Sequence, residues 1–386
     1  MTSLLDKIQS KIGKDNDDLV LDYTRTHKAI STGSVILDNM LGGGILVKKR
    51  ISEVFGMEGS GKSTLCLMSI ANAIRQNVLV FYFDLEGAFN YDYAKSLGAD
   101  LETHKDNFAI FQPANLEEVF DIMHLLEKEV PQNREVAFIY DSVAQLKPKA
   151  LLEKGGTQQQ IGLHAQRVGE FTAYLQSQWC IKRHAYILFT NQVRRVPSQG
   201  GMFKAQALKS TGIGNGASND DSFTTTGGNQ FRFMCSIRLG LDYAGKIETG
   251  SFDEGNLDRA GNYTRCFLVK SRLTKPFQSC KLAIMYGKGF QDSLTIISVL
   301  KEYGLISNAG AYYTYIDSDN NPTGEGLSFR VKGKDAFFKE LEQAQYQNDM
   351  KKSYQQIMET DEKVVIDDYN ETEQDDTQSQ DNDDMF

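Results

Sequence analysis

Short apolar runs at 51–55, 78–84, 108–112, 136–140 and 185–190 punctuate the first half of this chain. Each has the length of a buried strand and too few residues for a helix. Segments with helical spacing of apolar residues, at 62–74, 116–130 and 166–181, separate most of them. Buried strands alternating with helices predict a parallel sheet covered on both faces, the α/β class. Three later runs, at 230–241, 263–269 and 281–286, follow one another without long helices, so the sheet is expected to finish antiparallel. A helix near 293–303, the aromatic run from Tyr312 to Tyr315 and a helix near 335–345 then predict a small α/β domain over 288–345. At the other end, Leu4, Leu5, Ile8 and Ile12 mark a short amphipathic helix with too little apolar area to stand alone. It is expected to pack on the body of the chain or on a neighbouring subunit.

Composition adds limits. Hydrophobic residues are 40% of the 386 and charged residues 24%, enough for a real core. No stretch approaches the roughly eighteen apolar residues of a membrane span, and the N-terminus has no apolar signal-peptide core. Cys66, Cys180, Cys235, Cys266 and Cys280 are scattered and never form a C-x-x-C pair. That pattern predicts reduced thiols in the cytoplasm and no zinc knuckle. His27, His104, His124, His164 and His184 lack paired ligand spacing, which argues against a zinc site. The net charge of −9 is uneven: residues 359–386 hold 12 acids and one Lys, leaving 39 acids and 41 bases before them. An acidic tail, with 346–386 expected to be disordered, thus follows a neutral to slightly basic body. The overall sign does not exclude nucleic acid.

The clearest chemistry lies in Gly56-Met57-Glu58-Gly59-Ser60-Gly61-Lys62-Ser63-Thr64, which fits G-x-x-x-x-G-K-[ST]. It follows an apolar strand and opens a helix, the context of a phosphate-binding loop. Glycines let backbone N–H groups wrap a phosphate chain, and the helix N-terminus adds its dipole. Lys62 would reach the β- and γ-phosphates of ATP, and the Ser63 hydroxyl would hold Mg²⁺ directly. A second apolar strand ends in Asp141, placed to hold the same ion through water. Glu86, just past the 78–84 strand, is either a solvated loop carboxylate or the group that orients water at the γ-phosphate.

Several motifs occur in order along the chain: Ser31-Thr32-Gly33-Ser34 with Leu37-Asp38, the loop at 56–64, and Phe83-Asp84-Leu85-Glu86 with Asn90 to Ala94. They continue with Asp141-Ser142-Val143-Ala144, Pro148-Lys149-Ala150, Asn191-Gln192-Val193-Arg194 and Thr224 to Asn229. Together, over roughly 31–345, they resemble the bacterial RecA recombinase family. The resemblance implies a RecA-like P-loop NTPase core over 31–287, a polymerisation helix and linker over 1–30, and ATP and Mg²⁺ as cofactors. By the same likeness Glu86 is the acid that activates water, and Thr64 joins the nucleotide contacts. Tyr93 matches the aromatic that stacks on adenine, with Asn90 beside it. Gln192 matches the glutamine that senses the γ-phosphate and passes its state to the DNA-binding loop. Lys270 and Arg272 match a pair of cations that reach a neighbouring subunit's nucleotide, where Arg keeps the charge of the usual second Lys. Phe233 matches an interface aromatic that helps relay nucleotide state; its plainer reading, compatible with that role, is packing in a core strand.

Two Gly-rich polar segments, about 154–162 and 193–226, resemble the family's two DNA-binding loops, and Arg167 is expected to begin the helix after the first. Structureless stretches of that length inside a compact domain are usually functional. Arg and Lys with mobile N–H groups suit a polyphosphate held without sequence reading. Ile161, Gly162, Arg167, Arg194, Arg195, Gly227 and Gly228 are the residues assigned to DNA. The implied function is an ATP-dependent recombinase that forms filaments on single-stranded DNA and pairs it with homologous duplex. Its expected partners are DNA, copies of itself, and single-strand-binding and loader proteins, with no membrane. A ring-shaped motor and a DNA-coating protein remain as alternatives from the residues alone.

Overall fold

The structure is a computed structural model that describes residues 27–153, 159–195, 223–249 and 258–360. The expected N-terminal helix, most of both expected DNA loops, and residues 361–386 lie outside the described residues. The chain divides into two compact units, one running to Cys280 with Ile284–Phe290, the other of Lys281–Ala283 with the residues from Gln291 on.

The first unit begins with β1 (Ala29–Ile30), α1 (Val35–Leu41) and β2 (Leu46–Val47). The Ser31–Ser34 motif serves this corner. Ser34 Oγ caps α1 by accepting from the Leu37 N–H, and Asp38 accepts from Ser31 Oγ at 2.5 Å and Thr32 N at 2.8 Å. Then come β3 (Arg50–Gly56), α2 (Lys62–Arg75), β4 (Leu79–Asp84), α3 (Tyr91–Ser96), β5 (Phe108–Phe111), α4 (Leu116–Glu129) and β6 (Val136–Asp141). After α5 (Lys149–Glu153), helix α6 (Gln159–Tyr174) continues as a wider π-type turn over Leu175–Ile181. Next are β7 (Tyr186–Arg195), β8 (Phe223–Thr225), α7 (Gly228–Met234), β9 (Ile237–Thr249), β10 (Asp258–Ser271), β11 (Ser279–Met285) and β12 (Gly289–Phe290).

One sheet carries the unit, in the order β12-β11-β10-β9-β3-β7-β6-β4-β5, with β8 added at β7. The pairings β9–β3, β3–β7, β7–β6, β6–β4 and β4–β5 are parallel, whereas β9–β10 and β11–β12 are antiparallel. The α/β class and the antiparallel finish are therefore as expected. Aromatic residues in register form the floor of the core. Tyr140 stacks on Phe83 and on Phe189, both at 4.7 Å, and Phe231 of α7 meets Phe189 edge-on at 5.2 Å. All four are fully buried.

Two expectations about elements fail. The run 230–241 is not one strand, because residues up to Met234 belong to α7. Gly227 and Gly228, at φ 96° and 77°, turn the chain into a helix where side chains with a Cβ would be strained. Phe231 and Phe233 then diverge: Phe231 is buried, while Phe233 is 72% exposed. Core packing, the plainer reading of Phe233, is thereby corrected. The expectation of disorder also fails for 346–360. In the second unit α8 (Asp292–Glu302) precedes the antiparallel strands β13 (Ile306–Ala309), β14 (Tyr312–Tyr315) and β15 (Phe329–Lys332), followed by α9 (Lys334–Leu341) and α10 (Ala344–Thr360). Tyr346, Met350 and Ile357 bury one stripe of α10. Asp349 accepts from the Tyr315 hydroxyl at 2.6 Å and from the Ser318 N–H at 3.0 Å.

Met350→Ala is expected to destabilise the second unit by about 2–5 kcal/mol, the usual effect of truncating a buried Met. Urea unfolding followed by circular dichroism measures it, and an unchanged midpoint would detach α10 from the unit's core.

Candidate nucleotide site and its surroundings

The parallel order places the carboxyl ends of β4, β6, β7 and β3 side by side. Ligands of open α/β sheets bind at that edge. Between β3 and α2 the loop can be tight because Gly56 lies against β9, where an added Cβ would come 2.2 Å from the Leu241 carbonyl oxygen. Gly59 and Gly61 hold φ at 73° and 97°. α2 has no side-chain N-cap, so its first N–H groups remain available to an anion. Lys62 Nζ donates to the carbonyls of Gly56 at 3.0 Å and Met57 at 2.7 Å. Burial lowers the Lys62 ammonium below its ordinary value, partly offset by Asp141 and Glu86 nearby. Ser63 is exposed beside it; Thr64 is buried, its hydroxyl 2.6 Å from that of Tyr93. Asn90 caps α3, accepting from the Tyr93 N–H at 2.8 Å. Met57, Glu58 and Gly59 are exposed, whereas Ser60 is buried.

Asp141 accepts from the Tyr82 hydroxyl at 2.7 Å and from Thr190 Oγ1 at 2.5 Å. Burial raises its carboxyl above the ordinary range, the two hydroxyls oppose that shift, and Glu86 adds to it. The Glu86 loop is folded back by Asp84, which accepts from the N–H groups of Ala88 at 3.0 Å and Phe89 at 3.2 Å and from Gln112 Nε2 at 2.9 Å. Glu86 Oε1 accepts from Gln192 Nε2 at 2.7 Å and from Ser142 Oγ. Lys62, Asp141, Glu86 and Gln192 are thus gathered around one edge of the sheet. Loop N–H groups, a cation, a hydroxyl and carboxylates form a donor set that fits a Mg²⁺–nucleotide. Among the described residues no group of three or more His, Cys, Asp or Glu forms a separate metal cluster.

The residues assigned elsewhere are spread out. Lys270 Nζ donates to the carbonyls of Arg232 at 2.9 Å and Phe233 at 2.8 Å, and Arg272 donates to that of Phe233 at 3.0 Å. α6 already begins at Gln159, so the backbone of Ile161 and Gly162 is helical and Arg167 lies well inside the helix rather than at its start. Arg167 pairs with Glu170 at 2.9 Å and Glu117 at 3.7 Å. Arg194 is exposed on β7, opposite Thr224, and Arg195 ends the strand. Gly228 lies against Ala165 of α6, where an added Cβ would come within 2.7 Å, and Gly227 lies near Val143. Asp84 and Ser142 bond within the Glu86 loop and Asn191 to the Gln192 N–H, so these three residues support the site although the motifs that contain them do not mark them for it. Their signal was a polar side chain at the end of an apolar strand.

A carboxyl whose folded value is raised favours its neutral form, so the stability it contributes is lost as pH rises through that value. Asp141→Asn, always neutral, is expected to melt above the parent near about pH 8 without ligand, with the gap closing as pH falls below the ordinary carboxylate range. Thermal unfolding across that range tests this; a variant melting below the parent at alkaline pH contradicts it.

A family model described as the RecA N-terminal domain matches residues 1–291. Protein RecA of Wolbachia sp. subsp. Brugia malayi (strain TRS) is 35% identical over 297 residues, covering 77% of this chain and 74% of that protein. Protein RecA of Pseudomonas putida is 32% identical over 337 residues, covering 86% of this chain and 84% of that protein. With matches that span most of its length and a parallel sheet that ends in this crevice, the chain belongs to the RecA family.

Proposed function

We propose that this chain is an ATP-dependent DNA recombinase. Copies polymerise head to tail on single-stranded DNA, a heterologous contact that generates an open helix. The filament pairs its strand with homologous duplex and exchanges strands in recombinational repair, base pairing supplying the sequence recognition. The observation that carries this reading is the hydrogen bond from Gln192 to Glu86. It joins the acid beside the phosphate loop to the strand that runs on through Arg194 into the second DNA segment.

In this reading Lys62 and the loop N–H groups hold the β- and γ-phosphates, and Ser63 and Asp141 hold Mg²⁺. When bound, the ion neutralises charge on the phosphates. Glu86 orients the attacking water and accepts its proton. Gln192 senses the γ-phosphate by exchanging its bond to Glu86 for one to ligand. Tyr93 and Asn90 flank the adenine. Lys270 and Arg272 leave the carbonyls of α7 and stabilise charge on the neighbouring copy's phosphates, which ties hydrolysis to assembly. Exposed Phe233 packs across that junction. Arg194, Arg195, Arg167 and the N–H groups of the two loops grip the DNA backbone.

Strand exchange and DNA-stimulated phosphate release test the reading together. Lys62→Ala is expected to lose both. Glu86→Gln is expected to keep nucleotide binding and filaments while hydrolysis falls roughly a hundredfold; unchanged phosphate release would move the catalytic acid elsewhere. Arg272→Ala and Lys62→Ala, each inactive alone, are expected to regain phosphate release when mixed. If no mixture exceeds either variant, the cation does not act on a neighbour.

A further inference from the structure

Two buried hydroxyls close on Asp141 from the strands at its sides. β6, which ends in Asp141, lies between β4 and β7. Asp84 pairs with Asp141, so Tyr82, two residues back on β4, shares that face of the sheet and reaches forward. Tyr140 pairs with Phe189, which sets Thr190 beside Asp141 from the other flank. The Tyr82 hydroxyl donates to Asp141 Oδ2 at 2.7 Å, and Thr190 Oγ1 donates to Oδ1 at 2.5 Å. Tyr82 is 4% exposed and Thr190 1%. The Tyr82 ring is itself held by Phe89, edge-on at 4.9 Å, whose N–H is bound by Asp84.

Packing alone does not call for either oxygen. A buried hydroxyl needs a partner, whereas Phe at 82 or Val at 190 would fill nearly the same space without that need. What the hydroxyls add is orientation. One bond would let the carboxylate swing about its Cβ–Cγ axis; a bond to each oxygen, from opposite sides, fixes its plane. An ionised carboxylate offers about four acceptor sites, so two hydroxyls leave others free. Mg²⁺ demands near-octahedral geometry and keeps several waters. A carboxylate that meets the ion through water therefore contributes only if its oxygens are held where those waters need acceptors, and the partners behind such a carboxylate tune metal affinity.

We propose that Tyr82 and Thr190 are positioning residues for the metal, locking the Asp141 carboxylate in the plane that the water shell of Mg²⁺ requires. This inference rests on the reading of the crevice as a Mg²⁺–nucleotide site. The two hydroxyls act through Asp141 and are assigned no contact with nucleotide or ion. Their effect falls on the metal and spares the phosphate loop, which holds nucleotide through Lys62 and backbone N–H groups.

The test is the Mg²⁺ concentration that half-saturates the full chain already loaded, in metal-free buffer, with a fluorescent ADP analogue. Tyr82→Phe and Thr190→Val are each expected to raise it about tenfold, the low end of what such partners are worth, and Asp141→Asn at least as much. In the two hydroxyl variants the affinity for the analogue without metal is expected to stay within about twofold of the parent's. Thr190→Ser, which keeps the hydroxyl and drops the methyl, is expected to need Mg²⁺ within about twofold of the parent's level. If one hydroxyl variant fails to fold, the other carries the test. Folded hydroxyl variants that keep the parent's Mg²⁺ requirement, beside an Asp141→Asn that does not, overturn the positioning role alone. Loss of metal-free affinity in step with the metal's overturns it too, because the site as a whole has then been damaged. So does a Thr190→Ser variant that matches Thr190→Val. A parent that binds no analogue, or an Asp141→Asn variant with the parent's Mg²⁺ requirement, overturns the inference together with the reading of the site.

Discussion

Strand alternation at the carboxyl ends of β6 and β7 sets what every nearby side chain can do. Successive positions of a strand point to opposite faces, so one residue separates a core role from a role in the crevice. Tyr140 stacks between Phe83 and Phe189 in the core, and the next residue, Asp141, meets Tyr82 and Thr190 on the other face. On the adjacent strand the same step separates Asn191, held to Glu53, from Gln192, held to Glu86. A slip of one residue in the register of either strand would bury the crevice groups and expose the aromatic floor. The tight stacking of that floor is what keeps the register.

That dependence explains why the polar groups can be placed so closely. Large aromatic side chains pack in few ways, and each ring fixes its strand against the next. Registers Phe83–Tyr140 and Tyr140–Phe189 run straight across β4, β6 and β7. Phe231 then ties α7 onto the same row. Because α7 presents its last carbonyls to Lys270 and Arg272, the helix is braced at one face by aromatic packing and at its end by two cations.

Much of this was legible in the sequence because the signals are local. A phosphate loop needs its glycines and its Lys in fixed order, and a buried parallel strand reads as an unbroken apolar run. Misreadings arose where a local pattern fits two periods. Phe231-Arg232-Phe233 alternates as a strand does, yet Gly227 and Gly228 turn it into a helix, which separates the two rings. In α10 the apolar stripe is sparse among Gln, Asn and Lys, so composition suggested disorder while Tyr346, Met350 and Ile357 supplied the buried face. Glu53 and Arg238 left a fainter trace. Glu53 is the one charged residue of the run 51–55 and Arg238 stands between Ile237 and Leu239, and only the sheet order, which sets β3 beside β9, shows that they are partners.

Charges in the crevice are held in states they do not favour when the site stands alone. Burial depresses the Lys62 ammonium and raises the Asp141 carboxyl, and Glu86 pushes Asp141 further. Lys62 turns to the carbonyls of its own loop. A polyphosphate with a divalent cation relieves both conditions, giving Lys62 an anion and Asp141 and Glu86 a neutralising neighbour. Binding energy is thereby concentrated in a few groups whose charges otherwise remain poorly compensated. The Glu86–Gln192 bond sits at the edge of this unbalanced set, where a change in local charge alters its strength most directly. On one face of β7 Gln192 is held to Glu86, and on the other Asn191 is held to Glu53 and Thr226, so a change of partner at the first is felt by the second.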